Sequence, residues 1–257
     1  MTLQNVGIFL VGAAIGFLGG LFGKGGSAIA TPLLSLIGVP GFVAVAAPLP
    51  ATIPGTFIAA FAYWRSKLVD WELIAWSIAV GLPATIVGSY LTRFTGDRPL
   101  LIVTGVLVLG FGISFLRHRE TAEAAVDDGT PEALVRPPYW RVRVVGVALF
   151  VGLISGLLAN SGGFLLAPSY ARILNQPIKR AFASSLIVSM VLAIPGTIVH
   201  ASLGHIDWTV TAVLALGSVP FSYIGARTAI RTDAHALERV YGLVLTVLGA
   251  YFLLRLV

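Results

Sequence analysis

The chain has 257 residues, of which 57% are hydrophobic and 11% charged, and its mean hydropathy is +0.92. No soluble domain of this size has such a composition, so we expect an all-α polytopic membrane protein. The absence of cysteine excludes disulfides and thiol chemistry. The net charge of +6 comes largely from Lys and Arg in short loops between apolar runs, which makes the lipid bilayer the expected partner and excludes nucleic acid.

Eight apolar runs are long enough to cross a bilayer, which takes about 20 helical residues. In chain order they cover residues 3–22, 42–64, 72–94, 99–116, 142–158, 181–202, 208–229 and 237–257. Two shorter apolar segments, 28–37 and 164–174, each follow a glycine-rich stretch. One long polar segment lies in the middle of the chain and is typical of a flexible connector. We therefore expect a first transmembrane repeat over 1–116, a cytoplasmic connector over 117–141 and a second transmembrane repeat over 142–257.

The two glycine-rich stretches interrupt apolar sequence in the same way. The first is Gly16-Phe-Leu-Gly-Gly-Leu-Phe-Gly-Lys-Gly-Gly-Ser27, and the second is Gly152-Leu-Ile-Ser-Gly-Leu-Leu-Ala-Asn-Ser-Gly-Gly163. Non-helical backbone at membrane depth occurs only where it is buried in protein or lines a cavity. The two breaks therefore predict a binding site to which each half of the chain contributes.

An internal repeat extends through both halves. A shift of 136 residues aligns the glycines of the two breaks, and a shift of 137 aligns Asp70-Trp71 with Asp207-Trp208. A shift of 141 aligns Pro54-Gly55-Thr56 with Pro195-Gly196-Thr197. We interpret Pro54 and Pro195 as kinks that could act in gating, since proline removes a backbone hydrogen bond.

The distribution of Lys and Arg predicts that the two repeats are inverted. If each break joins a descending piece to a returning one, the chain forms two inverted repeats, each with a broken or re-entrant helix pair followed by three transmembrane helices. With both termini outside, 13 of the 17 basic residues are cytoplasmic and only Arg93, Arg98 and Arg255 are outside. Parallel repeats would divide the charges evenly, so the positive-inside rule favours inversion. We expect a multi-pass protein of the inner (plasma) membrane.

The residues of the breaks predict an anion site. Each break starts a new short helix, and the N–H groups and positive dipole end of a helix start attract anions. The expected substrate-binding residues are Lys24, Gly25, Gly26, Ser27, Asn160, Ser161, Gly162 and Gly163, with Ser184 and Ser185 as further hydroxyl donors. Lys24 either faces this site or reaches the membrane interface. An alternative for the two serines, at least as well supported, is that they form hydrogen bonds between helices. We attribute a different role, close helix packing, to the upstream glycines Gly12, Gly16, Gly20, Gly152 and Gly156.

These residues resemble the sulfite exporter TauE/SafE family of membrane permeases. The resemblance rests on the segment from Gly16 to Pro32, on its copy ending at Pro168, and on the Ile206-Asp207-Trp208 turn before a glycine-bearing helix. It implies a transporter for a small sulfur-containing anion such as sulfite, thiosulfate or an organosulfonate. The chain departs from the family pattern at Lys24, at Ser27, and at Ala159, Asn160 and Ser161.

We expect alternating access around a fixed anion site near the midplane, with no cofactor, no metal and no catalytic residue. No phosphate-binding loop of the Gly-x-x-x-x-Gly-Lys-Ser/Thr type occurs, so an ion gradient or the substrate gradient must supply the energy. The coupling ion and the oligomeric state, including a homo-oligomer, stay open. Two alternatives are an intramembrane serine hydrolase, with Ser161 as nucleophile and His200 as base, and a membrane scaffold subunit.

Overall fold

The computed structural model of the chain describes residues 3–23, 30, 33–34, 36–91, 97–117, 136–158, 161–202 and 204–254. These residues form helices and turns, with no β-strand among them. The helices in chain order are α1 (Leu3–Phe22), α2 (Gly41–Ala46), α3 (Pro48–Arg65), α4 (Trp71–Leu91), α5 (Asp97–Arg117), α6 (Trp140–Leu157), α7 (Gly163–Ile173), α8 (Ile178–Ser202), α9 (Trp208–Arg231) and α10 (Ala234–Leu254).

The helix boundaries confirm most of the predicted apolar runs. Within the described ranges, five helices are long and apolar enough to span a membrane, namely α1, α4, α6, α8 and α9. The predicted run 42–64 is divided between α2 and α3, because Pro48 stands at the first position of α3, where its missing N–H costs nothing. The short segment 164–174 corresponds to α7. Half of the segment 28–37 and most of the connector lie outside the described residues.

The repeated Asp-Trp pair marks the starts of two helices. Asp207 Oδ1 accepts hydrogen bonds from the backbone N–H groups of Thr209 (2.8 Å) and Val210 (3.1 Å), which caps α9. Asp70 Oδ1 accepts from Leu73 N (3.1 Å) at the start of α4. Both carboxylates satisfy N–H groups that lack an acceptor within the helix. The sequence repeat at these positions is therefore a repeated helix cap.

Asp70 differs from Asp207 in being buried and held from a second side. Asp70 is 6% exposed, and its Oδ2 accepts from Gln176 Nε2 at 3.2 Å. Arg136 Nη2, from the end of the connector, lies 3.8 Å from Asp70 Oδ1. Asp70 thus joins α4, the α7–α8 turn and the connector at one end of the molecule.

Replacing Asp70 by Ala is expected to cost about 2 kcal/mol of stability, because the change removes a cap and leaves Gln176 without its acceptor. Asp207→Ala removes only an exposed cap and is expected to cost about 1 kcal/mol. Melting temperatures of the two purified variants in one detergent provide the comparison. Equal losses would show that burial and the Gln176 contact add nothing.

Helices α1 and α9 pack in parallel through glycine. A Cβ atom on Gly12, Gly16 or Gly20 of α1 would overlap the backbone of α9. The α9 residues that these Cβ atoms would meet are, in the same order, Leu214, Ser218 and Ser222. The two helices run in the same direction, since both numbers rise together. Helices α4 and α6 repeat this arrangement, with Gly152 on Gly81 and Gly156 on Thr85. The predicted role of these glycines in close packing is confirmed.

Helices α5 and α10, which are equivalent in the sequence repeat, pack antiparallel. Gly112 lies against Thr246, and Gly249 lies against Leu109, so the residue numbers rise in one helix as they fall in the other. Helix α3 packs on α9 and α8, and α4 packs on α8. In the sequence repeat, α1 is equivalent to α6, α3 to α8 and α4 to α9. The α1–α9 contact is therefore equivalent to the α6–α4 contact, and the α3–α9 contact to the α8–α4 contact. The pattern of helix contacts therefore follows the sequence repeat.

The end of α1 is fixed by buried aromatic rings and one hydroxyl. The ring of Phe22 lies 5.2 Å from that of Tyr241 and 6.1 Å from that of Phe182, measured between centroids. Tyr63 of α3 donates its hydroxyl to Gly20 O at 3.0 Å. That bond gives a donor to a carbonyl near the helix end, where the last carbonyl groups have no N–H partner within the helix. The first glycine-rich break therefore starts from a fixed point.

Four tryptophans lie at helix ends, a position typical of the membrane interface, and three of them are exposed. Trp64 is 51% exposed, Trp71 59% and Trp208 61%, as an aromatic belt requires. Trp140 is only 5% exposed, because the guanidinium of Arg136 covers its ring with the Cζ atom 4.0 Å from the centroid. Trp140 therefore belongs to the protein interior and not to the belt.

Candidate anion site

The second glycine-rich break forms a buried helix start. Helix α7 begins at Gly163, and the preceding Gly162 has φ +71, a conformation that favours glycine. Gly162 O accepts from Leu165 N (2.9 Å) and Leu166 N (3.0 Å). The first N–H groups of a helix have no acceptor within it, and the residue at the N-cap of α7, Gly162, has no side chain that could cap the helix. These groups, with the positive dipole end, are oriented to bind a negative charge.

Ser155 of α6 presents a hydroxyl to this helix start. Ser155 is 2% exposed, and its Oγ is buried without a hydrogen-bond partner among the residues that the structure describes. A Cβ on Gly162 would collide with Ser155 Oγ, so the hydroxyl faces the turn before α7. A buried hydroxyl without a partner costs about 1–3 kcal/mol. A bound acceptor at the start of α7 would remove that cost.

The start of α7 lies beside the last turn of α6. Ser155 is 15 residues after Trp140, where α6 begins, which corresponds to a rise of about 22 Å. Helix α7 has 11 residues and is therefore about 16 Å long, half the thickness of the hydrocarbon core. Its other end meets the beginning of α6, since Arg143 Nη1 donates to Ile173 O at 3.2 Å. Helix α7 therefore runs antiparallel to α6 and has about half the length of a membrane-spanning helix.

The first break is described only up to Gly23, which has φ +64. Lys24, Gly25, Gly26 and Ser27, and Asn160 of the second break, lie outside the described residues. Gly23 O accepts the hydroxyl of Ser185 at 2.8 Å. One predicted site residue of the second repeat therefore contacts the first break, through the bond between helices that was the alternative interpretation of Ser185. The meeting of the two breaks near the midplane stays a prediction.

The other predicted site residues fall into two groups. Ser161, Gly162 and Gly163 are buried at the start of α7. Ser184 is also buried, and its Oγ accepts from Asp70 N at 3.4 Å, which links α8 to α4. Pro54 and Pro195 lie inside α3 and α8, respectively, and their role in gating stays a prediction.

His200 lies near the end of α8 beside a second histidine. Its Nδ1 is 3.4 Å from Nδ1 of His205, and the two rings are 5.6 Å apart. Within the described part of the chain, the hydrogen-bond contact observed for the His200 ring is with His205 and not with Ser161. The arrangement gives no support to His200 as the base for Ser161.

Ser155 is the site residue that the sequence interpretation missed. It lies within the apolar run 142–158 and between the packing glycines Gly152 and Gly156. The 136-residue shift places it opposite Gly19 of the first repeat. A serine that replaces a glycine between two packing glycines was the available signal.

The bundle of apolar helices and the buried helix start define a multi-pass membrane protein of the permease type. The sequence profile of the family described as Sulfite exporter TauE/SafE matches residues 8–252. The chain belongs to this family of membrane transporters, as the sequence resemblance indicated.

Relatives of similar length are named as transporters. A "Probable membrane transporter protein" of Xylella fastidiosa (strain 9a5c) is 28% identical over 99% of this chain and 97% of its own length. "Probable membrane transporter protein YjnA" of Bacillus subtilis (strain 168) is 24% identical over 96% of this chain and 98% of its own length. No solved structure matches the chain significantly. The family and these names indicate a transporter and not an enzyme.

Proposed function

We propose that the protein carries a small sulfur-containing anion, such as sulfite, thiosulfate or an organosulfonate, across the plasma membrane by alternating access. The observation that carries the proposal is the buried hydroxyl of Ser155 at the start of α7, which has no hydrogen-bond partner among the described residues. A tetrahedral or pyramidal oxyanion offers several acceptor oxygens, which suit one hydroxyl and several converging N–H groups. The family description supports the substrate class.

In the proposed transport cycle, the chain is a pair of inverted repeats whose breaks form one anion site. The antiparallel packing of α5 and α10 supports inversion, because a two-fold axis that relates two antiparallel helices is perpendicular to them. For helices that cross the bilayer, such an axis lies in the membrane plane. The positive-inside rule then gives two external termini. Lys24 of the first break would add the cationic group.

The proposal is tested by a thermal-shift screen of the purified protein with sulfite, thiosulfate, organosulfonates and carboxylates at constant ionic strength. A ligand that binds the folded state raises the melting temperature by mass action. We expect sulfur oxyanions to raise it and carboxylates of equal charge to have less effect. A profile without any response to sulfur oxyanions would contradict the proposed substrate class.

Lys24→Gln is expected to abolish the stabilisation by sulfur oxyanions, because it removes the positive charge from the first break. The fold should be preserved, since the change removes a costly charge at membrane depth. Arg239→Gln, an exposed charge on α10, is the matched control and should respond as the wild type does. An unchanged anion affinity in Lys24→Gln would place Lys24 outside the site.

A further inference from the structure

A polar cavity lies between α1, α3, α8 and α9. It is lined by the α1 glycines Gly16, Gly19 and Gly20 and by four hydroxyl side chains, Thr52 and Thr56 of α3 and Ser218 and Ser222 of α9. All four hydroxyl residues are buried. Four hydroxyls in one apolar bundle exceed what helix packing requires, since the α1 glycines already bring the backbones into contact.

The missing side chain of Gly55 opens the space in which two of these hydroxyls converge. A Cβ on Gly55 would lie 2.7 Å from Ser222 Oγ and 3.1 Å from Ser218 Oγ. Gly55 belongs to the Pro54-Gly55-Thr56 motif, and Thr56 lines the same cavity. The motif therefore combines a proline inside a helix with a polar surface.

Two of the four hydroxyl groups can act only as hydrogen-bond acceptors toward a ligand, because their protons are already donated to backbone carbonyls. Thr52 Oγ1 donates its proton to Leu49 O (3.1 Å), and Ser218 Oγ donates to Ala51 O (3.3 Å). Their lone pairs therefore remain for a ligand. The nearby end of α1 adds the negative end of a helix dipole. This environment attracts a positive charge, unlike the start of α7.

The size and the charge of the lining restrict the ligand to a small monovalent cation. The cavity has room for about one water-sized particle, too little for an oxyanion of four or more heavy atoms. Ca²⁺ and Mg²⁺ sites in proteins are built with carboxylates. No carboxylate is among the described residues that line this cavity. Neutral oxygens near an interrupted helix are the ligands that transporters use for Na⁺.

We propose that this cavity binds one Na⁺ ion per chain, and that Na⁺ is the coupling ion. The four hydroxyls are not fully repeated in the other half, because the 137-residue shift places Thr85 opposite Ser222 but Gly81 opposite Ser218. One complete set per chain follows. The ion would join α3, which carries the first Pro-Gly-Thr motif, and α9 to α1, which leads into the first break. The coupling role rests on the proposed anion transport, whereas the binding of Na⁺ does not.

Na⁺ binding is measured by the melting temperature of the purified protein in sodium, potassium or N-methylglucamine gluconate at equal ionic strength, without any sulfur oxyanion. We expect a saturable rise in sodium gluconate. Ser222→Ala and Thr56→Ala should each weaken the apparent Na⁺ affinity about tenfold. Thr228→Ala, which removes an exposed hydroxyl of α9 that bonds to Ile224 O, should leave the affinity unchanged.

Equal melting temperatures in sodium and N-methylglucamine gluconate would overturn the inference. An unchanged Na⁺ affinity in both Ser222→Ala and Thr56→Ala would also overturn it, because the ion would then bind elsewhere. The anion screen is a separate measurement, so its failure would refute the transport function and leave Na⁺ binding to be judged by these results. Anion-driven stabilisation without a Na⁺ effect would refute only the cation site.

Discussion

Gly88→Ala and Gly225→Ala should each lower the melting temperature by about 10 °C, corresponding to about 3 kcal/mol of stability. The two glycines are repeat equivalents, and a Cβ on either one would overlap a backbone carbonyl, that of Leu153 or that of Phe17. Backbone cannot move aside as a flexible side chain does. The α4–α6 and α1–α9 pairs would have to separate, at a loss of packing along both helices.

Gly146→Ala and Gly110→Ala are the matched controls for these substitutions. Both glycines lie within helices, and a Cβ at either position meets nothing within 4 Å. Alanine favours the helix by about 1 kcal/mol over glycine, so these variants should be as stable as the wild type or slightly more stable. Equal effects at all four positions would show that the close helix contacts do not determine stability.

Ser155→Ala should lower the affinity for the transported anion about tenfold and leave the empty protein as stable as before or up to about 1 kcal/mol more stable. The first effect follows because a hydrogen bond to a charged ligand contributes about 1.5–3 kcal/mol. The second follows because the substitution removes a buried hydroxyl that has no partner in the described structure. Melting curves with and without anion measure both effects in one experiment.

Ser89→Ala is the control for Ser155→Ala. Ser89 lies on α4 close to Gly156, and its hydroxyl donates to Thr85 O of its own helix at 2.9 Å. Its removal should leave the anion affinity unchanged. Destabilisation of the empty protein by Ser155→Ala, with unchanged anion affinity, would assign Ser155 to packing and remove it from the site.

Much of the fold was predictable because apolar runs, helix caps and glycine stripes are local signals. Asp70 and Asp207 repeat because each caps a helix, and Gly16 and Gly20 repeat because each meets a backbone. Helix directions were less accessible, since they depend on contacts such as Gly112 with Thr246 that join distant parts of the chain.

The site was predictable in kind but not in all its residues. The glycines of the second break indicated a helix start, and Gly162 has the positive φ that such a turn requires. Ser155 escaped detection because a hydroxyl in an apolar run commonly bonds to its own helix, as Ser89 and Thr85 do. Only the position of Gly162 opposite its Oγ distinguishes it.

The burial of Trp140 shows a related limit of sequence patterns. A tryptophan at a helix end is typical of the interface, yet Arg136 from the connector covers this ring. A contact from Arg136, which lies outside the helices, has no periodic signal in the sequence. The same connector residue lies beside Asp70 and forms an ion pair with Glu72, so one arginine determines the surroundings of two helix starts.

The most direct test of the central claim is the uptake of radiolabelled sulfite and thiosulfate by proteoliposomes that contain the wild type, Ser155→Ala or Ser89→Ala. The wild type and Ser89→Ala should take up a sulfur oxyanion well above protein-free vesicles, and Ser155→Ala should need about tenfold more anion for the same rate. The transport function would be contradicted if uptake of every sulfur oxyanion stayed at the level of protein-free vesicles. An anion site at the start of α7 would be contradicted if all three proteins showed equal uptake over the full concentration range.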